Sequence, residues 1–295
     1  MKQTIGWILA IGIILAGATA GLAEVPQVIA YGNDLTLAER TQIAKDFPIP
    51  AGVKLEEIKV VTVTNEEEWS LLRGLVPDAQ IGAKALSSVY IEKLESGAGV
   101  KVDTKNITFI TPRIYANALV TAGVTDAKVY ATAPVGVSGT AALVGIFKSF
   151  TELTGKTLTA TVQRTAAEEL ITTGNLGEKV GKERAAVLVE RTKERVVEKP
   201  TVTKEEVTKI IEQSAKEQDI KLSQEEKEEL AQLMLKVKQL NIDLGTLQKQ
   251  LKNYTESSPP PSQTEKPKSF LARLIEFFQN LFNQLTSFVG RILRH

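Results

Sequence analysis

The side chains that could carry chemistry in this sequence are carboxylates, lysines and hydroxyls. The chain has no cysteine, and its one histidine is the last residue, His295. A thiol nucleophile, a disulfide and a zinc site built from thiolates or several histidines are therefore excluded. A Ser-His-Asp triad is excluded unless His295 supplies the base, and no S-x-x-K pattern supports a serine–lysine peptidase. We predict no metal site and no cofactor.

Acidic residues are the remaining candidates for acid–base chemistry. Two carboxylates that flank a sugar suffice for glycoside hydrolysis, so a secreted hydrolase that cuts cell-wall polymer is one alternative. Asp34 and Glu68 stand close to Thr36 and Asn65, at positions typical of helix starts, where acidic and capping residues have structural roles. We favour those structural roles and predict no catalytic residue. The candidate carboxylates are Asp34, Glu66, Glu67, Glu68, Asp103 and Asp126.

A glycine-rich loop at residues 136–140 precedes a predicted helix. Such loops bind phosphate through converging backbone N–H groups. This one matches neither G-x-x-x-x-G-K-[ST] nor G-x-G-x-x-G, and its first lysine, Lys148, lies well inside the helix. We favour a structural interpretation, in which Ser138 or Thr140 caps the helix and the glycines let it lie close to a sheet. The alternative is an anion or small-ligand site formed by Gly136, Ser138, Gly139 and Thr140.

The elements that must position these groups alternate between strand and helix in the first half of the chain. The segments "PQVIAYG" and "EIKVVTVTN" are rich in β-branched residues and predict strands. Thr36 with Glu39, and Asn65 with Glu68, predict capped helix starts. The turn "SGAG" between two strand-like segments predicts a hairpin. We expect an α/β or mixed α+β domain at residues 24–160, with at least one βαβ unit and a hairpin.

From residue 161 the sequence predicts helices only. Residues 178–256 hold 16 Lys+Arg and 16 Asp+Glu, and the whole chain carries a formal net charge of +1. Charges this dense and balanced predict solvated helix surfaces and argue against nucleic acid as a partner. We therefore predict a charged helical region at residues 161–254. Its predicted capping boxes are Thr165 with Glu168, Thr203 with Glu206, and Ser223 with Glu226.

The N-terminus is typical of a secretory signal peptide. Lys2 precedes an apolar stretch from Ile5 to Leu15, and the small residues that follow suit signal peptidase. An uncleaved membrane anchor is the alternative, because the apolar and small residues from Ile5 to Ala23 together approach the ~20 residues that span a bilayer. We predict a signal peptide at residues 1–23 and a protein that is secreted or extracytoplasmic.

The C-terminus combines a proline-rich linker at residues 255–268 with an amphipathic tail at residues 269–295. Apolar residues recur in the tail at steps of three and four, and five of the nine phenylalanines lie there. A free helix of this kind exposes more apolar surface than a soluble monomer tolerates. Three uses stay open: attachment to a membrane surface, self-association as a helical bundle, and folding back onto the body. The residues expected to contact a membrane or partner are Phe270, Arg273, Leu274, Phe277, Phe278, Leu281, Phe282, Leu285, Phe288, Arg291, Ile292 and Arg294.

Four blocks of the sequence resemble one known family in the same order. The blocks are "YGNDLTLAER", "IGAKALSSVYIE", "NITFITPRIYANALVTAGVTDAKVYATAPVGVSGTAALVGIFK" and "ELITTGNLGE". Across residues 25–250 the chain resembles the YpuA-like family of predicted secreted proteins of Gram-positive bacteria, a domain-of-unknown-function family. The resemblance implies export from a Gram-positive cell, and it carries over no catalytic residue because the family has no assigned activity.

Together these observations favour an exported protein associated with the cell envelope. We expect a non-enzymatic binding or scaffolding module that its C-terminal tail attaches to a membrane surface or envelope component. The alternatives are the carboxylate-dependent hydrolase and a small-ligand or anion binding protein that uses the loop at residues 136–140.

Overall fold

A computed structural model of the protein describes residues 26–76 and 81–257. The predicted signal peptide at residues 1–23 and the predicted tail at residues 269–295 lie outside these described residues, as does most of the linker. Both stay predictions. Within the described part, no helix combines the length and apolar character needed to cross a membrane.

A five-stranded mixed sheet forms the centre of the N-terminal part. Its strands follow the order β2-β1-β3-β5-β4 across the sheet. β1 runs parallel to β2, β5 runs parallel to β4, and the central β3 runs antiparallel to both of its neighbours. The carboxyl ends of four strands therefore lie at one edge of the sheet, together with the start of β3. The strands are β1 (Gln27–Gly32), β2 (Lys59–Val63), β3 (Ser88–Lys93), β4 (Lys101–Ile107) and β5 (Ala127–Val137).

Two βαβ units build this sheet, which confirms the predicted mixed α/β class. Helix α1 (Leu37–Ala44) connects β1 to β2, and helix α3 (Pro112–Thr121) connects β4 to β5. A parallel pair needs such a crossover because the chain must return to the end where the first strand began. The other helices of this part are α2 (Asn65–Leu72) and α4 (Thr140–Thr154), and a 3-10 turn spans Leu55–Glu57.

The predicted hairpin at "SGAG" is wrong. β3 and β4 flank this turn in the sequence, but β5 lies between them in the sheet. The turn is held instead by Asp126, whose carboxylate accepts the backbone N–H groups of Gly97 at 2.9 Å and Gly99 at 3.0 Å. Turn residues show where the chain reverses, whereas the partner of a strand is decided by which neighbour covers its apolar side chains.

Helices cover both faces of the sheet. Helix α4 lies against β1, β2 and β3, where a Cβ added to Gly145 would come within 3.0 Å of the Ala30 Cβ. This glycine therefore allows the close approach of helix and sheet that the sequence predicts. On the opposite face α1 and the segment after it supply Ile43 and Phe47, which pack with Tyr31 and Tyr90.

The C-terminal part of the described chain is helical, and it shares a core with the sheet. Ala166 and Leu170 of α5, and Leu247 and Leu251 of α9, belong to the same buried cluster as strand residues such as Val89. This cluster crosses the predicted domain boundary at residue 160, which stays a prediction. The helices are α5 (Ala160–Val180), α6 (Lys182–Glu198), α7 (Lys204–Glu217), α8 (Gln224–Gln239) and α9 (Leu244–Ser257).

Three of the predicted capping boxes are confirmed and two are wrong. α2 begins one residue earlier than expected, because Thr64 with Glu67 forms its capping box. α5 begins after Thr159, so Thr165 lies inside the helix and its hydroxyl donates to the Thr161 carbonyl at 2.9 Å. Threonine makes this bond readily within a helix, which is why a Thr-x-x-Glu spacing alone does not mark a helix start. The confirmed boxes are Thr36 with Glu39, Thr203 with Glu206, and Ser223 with Glu226.

Some charges of the helical region are buried, contrary to the expectation of solvated surfaces. The Lys193 ammonium is fully buried and donates to the Glu169 carboxylate at 2.7 Å, the Asn117 carbonyl at 2.8 Å and the Thr121 hydroxyl at 3.0 Å. These three bonds match its three protons, which offsets the cost of removing the charge from water. We call Lys193, Glu169 and Thr121 the α3–α5–α6 charge cluster.

Candidate functional site between helices α2 and α4

The candidate site lies where two helices begin at the carboxyl edge of the sheet. α2 follows β2, and α4 follows β5. In open α/β sheets this edge is the usual place for ligands, because the helix starts and loops meet there. The fold thus brings together two segments far apart in the sequence, the glycine-rich loop at residues 136–140 and the acidic cluster at residues 66–68.

A buried hydrogen bond joins the two segments. The Thr140 hydroxyl donates to Oε1 of Glu68 at 2.5 Å, and the Ser138 hydroxyl lies 3.0 Å from that of Thr140. The Asn65 amide donates to the other Glu68 oxygen at 3.5 Å. Glu68 is only 2% exposed, so its carboxyl group is enclosed by the protein.

The expected cap of α4 by Ser138 or Thr140 is wrong. The N-cap is Gly139, which has a φ of 101° and no side-chain hydrogen bond to the helix. Tyr115 fixes this residue, because its hydroxyl donates to the Gly139 carbonyl at 2.5 Å. The Thr140 hydroxyl is directed to Glu68 instead, so a contact from another helix replaces the local cap.

The environment of Glu68 changes its acidity. Burial raises the pKa of the Glu68 carboxyl to about 7, and the negative charge of Asp34 acts in the same direction. The hydrogen bonds from Thr140 and Asn65 act against this change because they stabilise the ionised form. Glu68 therefore gains and loses its proton close to neutral pH.

The other candidate carboxylates do not converge on Glu68, apart from Asp34. The Asp34 carboxylate follows β1 and accepts the backbone N–H of Ala85 at 2.7 Å, which holds the segment before β3. Asp103 lies within β4, and Asp126 lies at the start of β5, at the opposite end of the sheet. The first turn of α2 and the end of β1 are thus the places where acidic residues meet.

Beside the Glu68–Thr140 contact, α2 and α4 separate and leave a groove of about 710 Å³ that the start of α5 closes. Leu71, Val144 and Phe147 form its apolar floor. The polar side chains along its rim include Ser70, Thr151, Thr161 and Gln163. An apolar floor with a few polar groups is the usual composition of a ligand site.

Two cations line this groove in fixed positions. Lys148 of α4 donates to the Glu67 carboxylate at 2.6 Å and to the Thr62 carbonyl at 2.5 Å. Arg164 of α5 donates to the Leu71 carbonyl at 2.5 Å and to the Arg73 carbonyl at 2.6 Å, at the carboxyl end of α2. A cation at this end of a helix is favourable because the last carbonyls lack partners within the helix.

Sequence reasoning did not assign Lys148 and Arg164 to a site. Thr140, Val144 and Lys148 recur at intervals of four residues, so their shared helix face was visible in the sequence. Arg164 had no such signal, because its partners are backbone carbonyls on another helix. Within residues 26–76 and 81–257, no group of three or more acidic, histidine or cysteine side chains is placed to hold a metal ion.

The fold and the groove define a class: a mixed α/β protein with a helical layer on its sheet and a cleft at the carboxyl edge of its strands. The chain belongs to the family described as "Protein of unknown function (DUF1002)", whose model matches residues 31–254. It is 33% identical over 290 residues to "Uncharacterized protein YpuA" of Bacillus subtilis (strain 168), covering 97% of this chain and 98% of that protein. The resemblance found in the sequence is confirmed. No solved structure matches the chain.

Proposed function

We propose that this protein is an exported, envelope-associated binding module without enzymatic activity. Its ligand lies in the groove between α2, α4 and α5, and its C-terminal tail attaches it to a membrane surface or envelope component. The observation that carries the binding role is the groove itself. Its volume of about 710 Å³ falls within the roughly 300–1,000 Å³ of small-molecule sites.

The charges at the rim support binding of a ligand that has both polar and apolar parts. Lys148 and Arg164 are held by hydrogen bonds, so they would lose little side-chain freedom when a ligand arrives. Glu67 and Glu152 also line the groove, which makes its charges balanced. A fragment of cell-wall polymer that carries both sugar and peptide groups is the envelope component that best suits this mixture.

The groove is tested by filling it. Ser70 is exposed on α2 at the rim, so Ser70→Trp obstructs the groove without placing bulk in the core. We expect soluble peptidoglycan fragments to shift the NMR signals of α2 and α4 in the wild type and not in this variant. Gln42→Trp, on exposed α1 across the sheet, is the matched control and retains the shifts. Equal shifts in all three proteins would place the ligand elsewhere.

The tail is tested by flotation with vesicles. The full mature chain is expected to float with vesicles that contain anionic lipid, because the sequence of the tail repeats apolar residues at steps of three and four and includes Arg273, Arg291 and Arg294. A variant that ends at residue 257 retains α9 and is expected to stay at the bottom of the gradient. Equal flotation of both proteins would contradict attachment through the tail.

A carboxylate-dependent hydrolase is the second candidate function, and one observation favours it. The pKa of Glu68 is raised to about 7 near the charge of Asp34, an environment that suits a general acid. Against it, Glu68 is enclosed and Asp34 is bound to Ala85. The double variant Asp34→Asn, Glu68→Gln is expected to leave the release of soluble fragments from purified cell wall unchanged. A clear fall in that release would favour the hydrolase over the binding module.

A further inference from the structure

Helices α2 and α4 form both the walls of the groove and the buried contact beside it. Glu67 and Leu71 of α2 line the groove opposite Val144 and Lys148 of α4. One residue from Glu67, the Glu68 carboxyl meets the first residue of α4, Thr140. This contact therefore joins the two helices that form the groove walls.

We propose that Glu68 is a proton-controlled latch that holds α2 against α4 and sets the width of the groove. The proposal rests on the proposed function in one respect, since it is the groove of the binding module that the latch controls. With its proton in place the Glu68 carboxyl group is neutral and its burial is tolerated. Without the proton a charge is enclosed between the helices, and α2 moves outward to let water reach it.

The groups around Glu68 explain why the charged form is poorly accommodated. Thr140 of α4 and Asn65 of α2 each donate one hydrogen bond from a neutral group. The segment after β1 contributes the negative charge of Asp34, and from α3 the Tyr115 hydroxyl donates to the Gly139 carbonyl. The adjacent Glu67 forms an ion pair with Lys148 of α4. Within the described residues, no lysine or arginine forms an ion pair with Glu68.

The two ends of α2 are held differently, which gives the movement a direction. Arg164 donates to the Leu71 and Arg73 carbonyls and anchors the carboxyl end of α2 to α5. The amino end is held to α4 by the Glu68–Thr140 contact and the Glu67–Lys148 pair. Loss of the first contact leaves the partly exposed Glu67–Lys148 pair, a weaker hold on the amino end, so α2 pivots about its anchored carboxyl end and the groove widens.

Trp69 provides a direct measurement of this movement. The chain has two tryptophans, and Trp7 lies in the predicted signal peptide. Trp69 is next to Glu68 on α2, and its indole N–H donates to the Gly82 carbonyl at 3.1 Å. In the mature full-length chain we expect its fluorescence to change between about pH 5.5 and about pH 8.5. The midpoint is expected near the raised pKa of about 7.

Three variants distinguish the latch from a structural role. Glu68→Gln should abolish the transition, and Glu66→Gln, on the exposed side of the same turn, should leave it unchanged. Asp34→Asn should lower the midpoint, because it removes a like charge that raises the pKa of Glu68. A change in packing alone would not move the midpoint in a predictable direction.

A fourth variant serves if Glu68→Gln fails to fold. Thr140→Val should lower the midpoint, because the hydrogen bond that it removes holds α2 against α4 in the closed, protonated form. Lower midpoints in both Asp34→Asn and Thr140→Val are the signature of the latch. A raised midpoint in Thr140→Val would show that the contact persists when Glu68 ionises, and it would overturn the proposal. A wild type without a transition, or variants that leave the midpoint in place, would overturn the proposal. This titration needs no ligand. If it fails, the binding experiment with Ser70→Trp still decides the proposed function by itself.

Discussion

Three consecutive glutamates at residues 66–68 have three different environments. Glu66 is exposed to solvent, Glu67 caps α2 and pairs with Lys148, and Glu68 is buried against Thr140. Successive residues of a helix point about 100° apart, so neighbours in the sequence face solvent, rim and core in turn. The chemistry of an acidic run therefore belongs to its individual members.

The buried carboxyl group makes stability depend on pH. The pKa of Glu68 is raised from 4.5 to about 7 in the folded protein. Below both values Glu68 is neutral in the folded and unfolded states, so its ionisation has no effect on stability. As pH rises from about 4.5 to about 7 the unfolded state ionises first, so the wild type loses stability, by roughly 3 kcal/mol in total.

Glu68→Gln removes this dependence. We expect urea unfolding to show the variant gaining up to about 3 kcal/mol relative to the wild type between acid and neutral pH, with little further gain above the folded pKa. Glu66→Gln is the control, because its side chain is exposed. A difference between wild type and Glu68→Gln that stays constant with pH would show that Glu68 does not titrate in this window.

Gly139 tests the geometry of the loop before α4. Its φ of 101° disfavours any other residue, and an added Cβ would lie 2.4 Å from the Tyr115 hydroxyl and 2.6 Å from the Ile107 Cγ2. Gly139→Ala is therefore expected to cost about 3 kcal/mol of unfolding free energy. Gly155→Ala is the matched control, because Gly155 also has a positive φ but has open space around it, and about 1 kcal/mol is expected. Equal losses would show that Tyr115 adjusts freely.

At the scale of elements, the α3–α5–α6 charge cluster decides how three helices fit together. The Thr121 hydroxyl of α3 donates to Glu169 of α5 at 2.5 Å, and Lys193 of α6 bonds to both residues. Each member of the cluster supplies a hydrogen-bond partner to another member, and water does not reach these groups. Such a network specifies one arrangement of the helices, since a displaced helix would leave a buried charge without a partner.

Removing one charge of this cluster should lower the free energy of unfolding. Lys193→Met leaves Glu169 buried without its cation, so we expect a loss of about 3–5 kcal/mol in chemical unfolding. The double variant Lys193→Met, Glu169→Gln removes both charges and keeps an acceptor for Thr121, and it should recover a large part of that loss. A double variant as unstable as Lys193→Met alone would show that packing, not charge, holds these helices.

At the scale of the whole molecule, α9 closes the fold by returning to the sheet. The Tyr254 hydroxyl accepts the backbone N–H of Val102 at 2.5 Å, and the Gln250 amide donates to Asp126 at 3.1 Å. Leu247 and Leu251 of the same helix are buried in the core of the sheet. The last described helix thus stabilises strands that precede it by more than a hundred residues.

This closure predicts that the described body unfolds as one unit. We expect calorimetry to give a single transition whose calorimetric and van't Hoff enthalpies agree. Leu251→Ala should lower its midpoint without splitting it, at a cost of about 2–5 kcal/mol. Two resolved transitions, of which only one responds to Leu251→Ala, would instead support separate domains with a boundary near residue 160.

The local features of this protein were readable in the sequence because they depend on neighbours along the chain. Thr36, Thr203 and Ser223 cap helices with the glutamate three residues later, and Gly155 ends α4 in a left-handed conformation. The absence of cysteine and the terminal position of histidine restricted the chemistry in the same direct way. The four blocks that carry the family resemblance are likewise a property of the sequence.

Only the tertiary structure decided which distant groups meet. The insertion of β5 between β3 and β4, the burial of Lys193, and the contact of Glu68 with Thr140 join residues separated by many elements. A spacing rule cannot express such contacts, because burial and partner choice depend on the packing of the whole core. For this reason the glycine-rich loop and the acidic run were each visible in the sequence, whereas their meeting beside a groove was not.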